Sequence, residues 1–394
     1  MREIYLDHAS TTYLDPRVAG AMRPYFENEY GNPSSLHRKG RRAKEAVENA
    51  RQTIAKILNC LPEEIIFTGS GSEAINLALL GTARAYKEHG KHIIASKIEH
   101  HAVLNALKAL KKEGFEVTYL DVDKNGLINP EDVEKAISQD TILISIMYAN
   151  NEIGTIEPVA ETGAIIKKYR DSEKTPFFFI DACQAAGALE LNVQKLGVDL
   201  LAVNGSKIYG PKGVGCLYVR KGIRPMPLVY GGGQENNFRS GTENVPGIVG
   251  LAKALEIAEK ERETENVRLA ELRDYFIGRV LKEIPKTVLN GHKTKRLPNN
   301  VNITFLDIEG ESALLYLDEK GIYISTGSAC TSNSLEPSHV ITALGRPYEY
   351  AHGSLRFTLG RKTTKEDLDY VLKHLPKVVE KLRRISAVRL ENRK

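Results

Sequence analysis

Leu200-Leu-Ala-Val-Asn-Gly-Ser-Lys-Ile-Tyr-Gly-Pro-Lys-Gly-Val-Gly-Cys-Leu-Tyr-Val219 holds two apolar runs with a Gly- and Pro-rich stretch between them. Leu200–Val203 and Cys216–Val219 read as buried strands, and the residues between them as a loop. Lys207 stands near the start of that loop, at the edge of an apolar sheet. An ammonium group is costly to desolvate there, so its pKa is expected to fall toward neutrality. That is the condition under which an amine attacks a carbonyl and forms a Schiff base. A surface loop with two lysines, Lys207 and Lys212, is equally consistent with this stretch alone.

The surrounding chain supplies the context. Strand patterns at Ile65–Thr68, Ile93–Ser96, Val117–Leu120, Ile142–Tyr148 and Phe177–Ile180 alternate with helical patterns. The helices are expected near Ser72–Lys87, Ala102–Lys112, Pro130–Ile137 and Pro158–Tyr169, with an earlier long one at Gly40–Leu58. This βα repeat predicts an α/β fold with a mostly parallel sheet covered by helices on both faces. A charged helix over Val245–Glu283 breaks the rhythm and links to a smaller α+β domain. Strands at Val301–Phe305, Ile322–Ser325 and Leu355–Leu359 and helices near Glu311–Glu319 and Thr364–Arg384 belong to it. The lead Tyr5–Thr12 reads as a short polar segment.

At 394 residues the chain has room for two domains and a sizeable core. The net charge of +5 is spread along it and does not argue for nucleic acid. Cys60, Cys183, Cys216 and Cys330 are far apart, without a Cys-x-x-Cys pair. Free thiols in a reducing cytosol fit that spacing better than a disulfide scaffold or a zinc site. With no signal-like segment and no apolar run of membrane-spanning length, a soluble cytoplasmic protein is expected.

In an open α/β sheet, ligands bind outside the carboxyl ends of the strands. Gly69-Ser-Gly-Ser-Glu-Ala74 follows the first strand. Ser70 with Glu73 makes a capping box, and the glycines bare the first N–H groups of the helix as an anion site. The spacing also matches a dinucleotide fingerprint, but the acidic residue expected ~20 positions on is missing, Glu99 coming too late. A simple phosphate is the better ligand, though a capped helix without one reads the same. His100 and His101 follow the second strand; neighbours on a helix do not share a face for a metal, and His100 is the one expected to face a pocket. Asn150-Asn151-Glu152 is a turn or a hydrogen-bonding shelf. Asp181 ends the apolar run Phe177–Ile180 and should be paired, with Gln184 three residues on. A Schiff-base lysine, an acid for a ring N–H and a phosphate-binding helix start together describe a pyridoxal phosphate site. Their order along the chain fits the type I fold of such enzymes.

The chain resembles the cysteine desulfurases of the NifS/IscS group, within the class V aminotransferase family. The resemblance rests on Tyr5-Leu-Asp-His-Ala-Ser-Thr-Thr12, Gly31-Asn-Pro-Ser-Ser35, Glu99-His100, Asn150-Asn-Glu-Ile-Gly154 and Asp181-Ala-Cys-Gln184. Ser206-Lys-Ile-Tyr-Gly-Pro-Lys-Gly213, Gly231-Gly-Gly-Gln-Glu235, Arg239-Ser-Gly-Thr242, Ser328-Ala-Cys-Thr-Ser332 and Leu355–Arg361 extend it over nearly the whole chain. The segment Gly327–Pro337 is similar to the long-loop, housekeeping branch.

The resemblance implies that Lys207 carries pyridoxal 5'-phosphate and shuttles protons, and that His100 stacks on its ring. Asp181 would hold the ring nitrogen and Gln184 the ring oxygen. Gly71, Ser72, Asn204 and Ser206 would bind the phosphate, joined by Thr242 of a neighbouring subunit, so a homodimer is expected. Asn151, at the cofactor, and Arg356 would hold the carboxylate of L-cysteine. Cys330 would take the sulfur as a persulfide and pass it to an iron–sulfur scaffold or another acceptor. No intrinsic metal site is implied, Cys330 being at most a ligand in a cluster shared with such a scaffold. The resemblance also implies a large cofactor domain over 15–255 and a small one from 1–14 with 256–394. Where this chain has Asn204 and Ser206 the group usually has Ser and His; the replacements can still hydrogen-bond a phosphate. A selenocysteine lyase, an aminotransferase of the same fold or a catalytically silent sulfur-relay partner remain as alternatives.

Overall fold

The computed structural model describes residues 2–170, 175–326 and 337–386. Its strands in chain order are Ile4–Tyr5 (β1), Ile65–Thr68 (β2), His92–Ser96 (β3), Glu116–Leu120 (β4), Thr141–Ser145 (β5), Phe177–Asp181 (β6) and Leu200–Asn204 (β7). Then follow Gly215–Val219 (β8), Thr287–Leu289 (β9), Asn300–Phe305 (β10), Ile322–Tyr323 (β11), Ser325–Thr326 (β12) and Ser354–Thr358 (β13).

Seven strands form the large sheet in the order β2-β8-β7-β6-β5-β3-β4. β8 is antiparallel to both neighbours, and the run from β7 to β4 is parallel. Both faces of this sheet are dry. Phe178, Ile180, Leu201 and Val203 pack into one apolar cluster, and Phe177, Phe179, Leu200 and Ala202 into another on the opposite side. That alternation explains the uninterrupted apolar runs, since successive side chains point to opposite faces and both are covered.

Helix Arg38–Leu58 covers the first face through Ala43, Val47, Ala50, Ile54 and Leu58, spaced at helical period. His37 caps its start by accepting the Gly40 N–H at 3.2 Å. Helix His101–Lys112 covers the other face with Val103, Ala106, Leu107 and Leu110. The 39-residue helix Val245–Glu283 begins in the first of these clusters, with Ile248, Leu251 and Leu255. Its last turns bring Leu269, Phe276 and Val280 into a separate core. That core lies against the antiparallel sheet β12-β13-β10-β9 and includes Ile4 and Leu6 beside the parallel pair β1-β11.

Five sequence expectations are revised. The segment expected as one helix over Ser72–Lys87 is interrupted by a π-helical turn at Leu77–Gly81, between Gly71–Asn76 and Thr82–Ala85. Gly81 sits there because a Cβ would lie 2.6 Å from the Met226 carbonyl oxygen. Ile322–Ser325 is two short strands in different sheets. β9 was not expected, and the lead segment begins with a paired strand, β1. The fifth strand is shorter than expected, ending at Ser145.

Candidate active site

The strand order reverses between β3 and β5, since β4 lies on one side of β3 and β5 on the other. Such a switch point opens a crevice at the carboxyl ends of the strands. A cavity of about 300 Å³ lies there, and Gly71, Ser72, His100, Asn151, Asp181, Gln184, Asn204, Lys207 and Arg356 all line it. Residues from opposite ends of the chain thus converge on one site. Ser206 and Thr242 are not among its lining. The Ser206 carbonyl instead accepts from Thr12, at 2.9 Å from the backbone N–H and 3.0 Å from the hydroxyl. Thr242 is exposed. Cys330 and most of Gly327–Pro337 lie outside the described residues.

Lys207 ends a single turn, Gly205–Lys207, directly after β7. Its Nζ donates to the Ser10 carbonyl oxygen at 2.5 Å. Asp181 closes β6 and is 6 % exposed, with its Oδ1 accepting the Cys183 N–H at 2.9 Å. Gln184 Nε2 donates to the Ala9 carbonyl at 2.9 Å.

His100 is the N-cap of helix His101–Lys112, and its Nδ1 accepts the Ala102 N–H at 3.1 Å. Burial lowers its pKa; Asp181 opposes that shift, and the positive charges of Lys207 and His101 reinforce it. The ring is therefore neutral at pH 7, and because Nδ1 accepts, its proton sits on Nε2.

The phosphate cradle is tight. A Cβ on Gly71 would lie 2.9 Å from Cys183 Sγ and 3.0 Å from Asn204 Nδ2, so only glycine leaves room. Asn204 Oδ1 is buried with no hydrogen-bond partner among the described residues. Ser70 caps the helix start, its Oγ accepting the Glu73 N–H at 3.1 Å. The expected capping box is altered: Glu73 reaches back to the Gly69 N–H at 2.8 Å and pairs with Arg239 at 2.8 Å. The first N–H groups of the helix, with the Ser72 hydroxyl and the Asn204 amide, make a donor set suited to a phosphate dianion.

Arg356 on β13 enters from the smaller sheet and is 3 % exposed. Nη1 donates to the Asn151 carbonyl at 3.0 Å, and Nη2 to Asp7 Oδ1 at 2.9 Å and Ser10 Oγ at 2.8 Å. Its Nε is buried with no hydrogen-bond partner among the described residues, and Nη1 keeps a second N–H, so the guanidinium can still donate to a ligand. The cradle, the lysine and the acid together fit pyridoxal phosphate.

Sequence reasoning missed several members. Ala9 and Ser10 line the cavity and bond Gln184, Lys207 and Arg356. A polar cluster directly after a strand is the signal that could have found them. Cys183 also lines it, its thiol pushed well above the usual range by burial. Behind the site, Glu99 is fully buried and pushed up to about 8, chiefly by desolvation. Its Oε1 accepts from Ser96 Oγ at 2.6 Å and from the Met147 N–H at 2.8 Å. Glu99 is thus neutral at pH 7 and adds no second anion beside Asp181.

Residues 4–371 match the family model described as aminotransferase class-V. A cysteine desulfurase IscS of Dictyoglomus turgidum is 54% identical over 390 residues, covering 99% of this chain and 98% of the relative. A cysteine desulfurase IscS of Methanosarcina thermophila is 53% identical over 385 residues, or 98% of this chain and 94% of the relative. Among solved structures, a NifS-like protein superposes with a TM-score of 0.90 at 38% identity, covering 97% of this chain and all of the other. A structure described as SspA in complex with cysteine gives 0.79 at 35% identity, over 90% and 98% of the two chains. On this match in sequence and architecture, the chain belongs to the class-V aminotransferase family, in the group of the IscS and NifS-like cysteine desulfurases.

Proposed function

We propose that this protein is a pyridoxal phosphate-dependent cysteine desulfurase, releasing L-alanine from L-cysteine and keeping the sulfur as a persulfide on Cys330. The observation that carries the reading is the convergence of Lys207, Asp181, His100 and Arg356 on one cavity. The cofactor, when bound, supplies an electron sink. Lys207 Nζ would hold it covalently and is placed to move protons at the substrate carbon. Asp181 would keep a proton on its ring nitrogen, because a carboxylate beside a cation favours the charged pair. His100, neutral, would stack on the ring, and Gln184 would hold the ring oxygen. Gly71, Ser72 and Asn204 would hold the phosphate. Arg356, with its free Nε–H, and Asn151 orient the substrate carboxylate.

In the net transfer the C–S bond of cysteine breaks and an S–S bond forms to Cys330 Sγ. The electron pair of the broken bond stays with carbon, which takes a proton to become the methyl group of alanine. The persulfide then passes to an acceptor such as an iron–sulfur scaffold, in the cytoplasm. Division into a large domain, 15–255, and a small one, 1–14 with 256–394, is supported by the separation of the core beside the four-stranded sheet from the clusters on the large sheet.

Asp181→Ala tests the reading. The variant is expected to keep a visible cofactor band yet lose alanine formation from L-cysteine on the order of 10²–10³-fold, as when one preorganised electrostatic group is removed. Near wild-type alanine production in that variant contradicts the role of Asp181, and no alanine from the wild type overturns the function.

The active form is a homodimer with shared sites. Thr242 is exposed at the end of the glycine-rich segment Gly231–Thr242, away from the cavity of its own chain. Mixed dimers of inactive Lys207→Ala and inactive Thr242→Ala subunits are expected to regain activity, since one of the two sites is then intact. A monomer by sedimentation, or hybrids that stay dead, would refute this.

A further inference from the structure

The stretch that carries Cys330 is rooted at both ends beside the cavity. Upstream, β12 pairs with β13, with Ser325 opposite Arg356 and Thr326 opposite Leu355. Downstream, Ser338 caps the five-residue helix His339–Ala343, its Oγ accepting the Ile341 N–H at 3.2 Å. That helix sits on the carboxyl ends of the large sheet. Val340, Ile341 and Leu344 form a small apolar cluster with Ile98, Met147 and Ile153, apart from the other cores.

Two polar bonds accompany this apolar seat. Ser338 Oγ donates to Glu152 Oε2 at 2.5 Å, and His339 Nε2 bonds the Glu99 carbonyl oxygen at 2.9 Å. A carbonyl only accepts, so His339 Nε2 carries the proton. The His339 ring also lies against His101, with centroids 4.8 Å apart. Glu152 is itself held from the other side: its carbonyl accepts from Asn300 Nδ2 at 3.2 Å and Asn302 Nδ2 at 3.1 Å, both on β10. Each anchor adjoins a cavity residue in sequence, Glu152 following Asn151 and Glu99 preceding His100. The apolar cluster alone would hold the helix down but would leave its rotation and register loose, because hydrophobic contact is non-directional. The two hydrogen bonds fix them.

We propose that Ser338, Glu152 and His339 are positioning residues for sulfur transfer, pinning the downstream root of the Cys330 stretch to the shelf that carries Asn151 and His100. The inference rests on the reading of Cys330 as sulfur acceptor. Burial pushes Glu152 up to about 7, so it is only partly ionised at neutral pH, and His339 down to about 4, so that ring is neutral there; an amide oxygen at 152 or a hydroxyl at 338 can still make the same hydrogen bond.

The test is persulfide formation on Cys330 in the dimeric holoenzyme, read by mass spectrometry after brief exposure to L-cysteine. The visible cofactor band and its response to L-cysteine are recorded on the same samples. Ser338→Ala and Glu152→Ala are expected to slow sulfur arrival on the order of 10²-fold, the effect of a small misplacement of a reacting group. Both should leave the band and its response unchanged. Ser338→Thr and Glu152→Gln, which keep the donor and the acceptor, should transfer sulfur as the wild type does. Wild-type rates in Ser338→Ala, or loss of the band or its response together with transfer, would overturn the pin. A failure of the sulfur-acceptor reading itself would show earlier, as a wild type that gains no sulfur on Cys330.

Discussion

Lys207→Ala is expected to lose alanine formation by a factor on the order of 10⁴–10⁶, the scale seen when a covalent nucleophile that acts as one unit with its partners is removed. Lys207 is the one lysine among the described residues that lines the cavity. Lys212, the other candidate in the loop, directs its Nζ toward the Thr12 carbonyl, at 3.5 Å. The loss has two parts, since the same amine binds the cofactor and moves the proton. Supplying excess cofactor can therefore restore binding through Gly71, Ser72 and Asn204 without restoring turnover. The covalent link can be read separately. Borohydride reduction of the wild type followed by peptide mapping should place the cofactor on Lys207. An adduct on Lys212, or none at all, would contradict the assignment.

The second large effect concerns Cys330. A thiol sulfur leaves carbon poorly, so another thiolate must attack it and carry it away, and that attack depends on access and on a pKa near ambient. The remaining cysteines are poor candidates on those terms. Burial pushes Cys60 and Cys216 up to about 12 and Cys183 well above the usual range, so none forms much thiolate at neutral pH. Cys330→Ser should keep the visible band and bind L-cysteine but lose alanine formation on the order of 10³-fold or more. A selenol is more acidic and leaves more readily, so the variant should still act on L-selenocysteine if that substrate fits the cavity. Desulfuration of L-cysteine at the wild-type rate by Cys330→Ser would refute the mechanism.

Much of the site was legible because an apolar run ending in a polar residue marks the carboxyl end of a buried strand. Asp181 after Phe177–Ile180 and Lys207 after Leu200–Val203 are both of this kind, and His100 gives itself away by opening a helix. What escaped was held by contacts between distant parts of the chain. Asp7 meets Arg356 across 349 positions and Ser10 meets Lys207 across 197, so no local pattern could join them. Glu99 escaped for another reason. It stands past the end of its strand at Ser96, where an acid is ordinarily solvated, and only the fold shows that it is buried. The altered capping box has the same origin, because Arg239 and the Gly69 N–H compete for Glu73 from outside the helix. The π-helical turn answers to the close approach of Gly81 to Met226, which sequence spacing does not record.

The most direct measurement is the mass of each cysteine-bearing peptide after one brief exposure of the holoenzyme to L-cysteine, with released alanine counted in the same sample. The account predicts one added sulfur on Cys330 for each alanine, and none on Cys60, Cys183 or Cys216. Alanine released with no sulfur on Cys330, or sulfur on one of the other three, would contradict it.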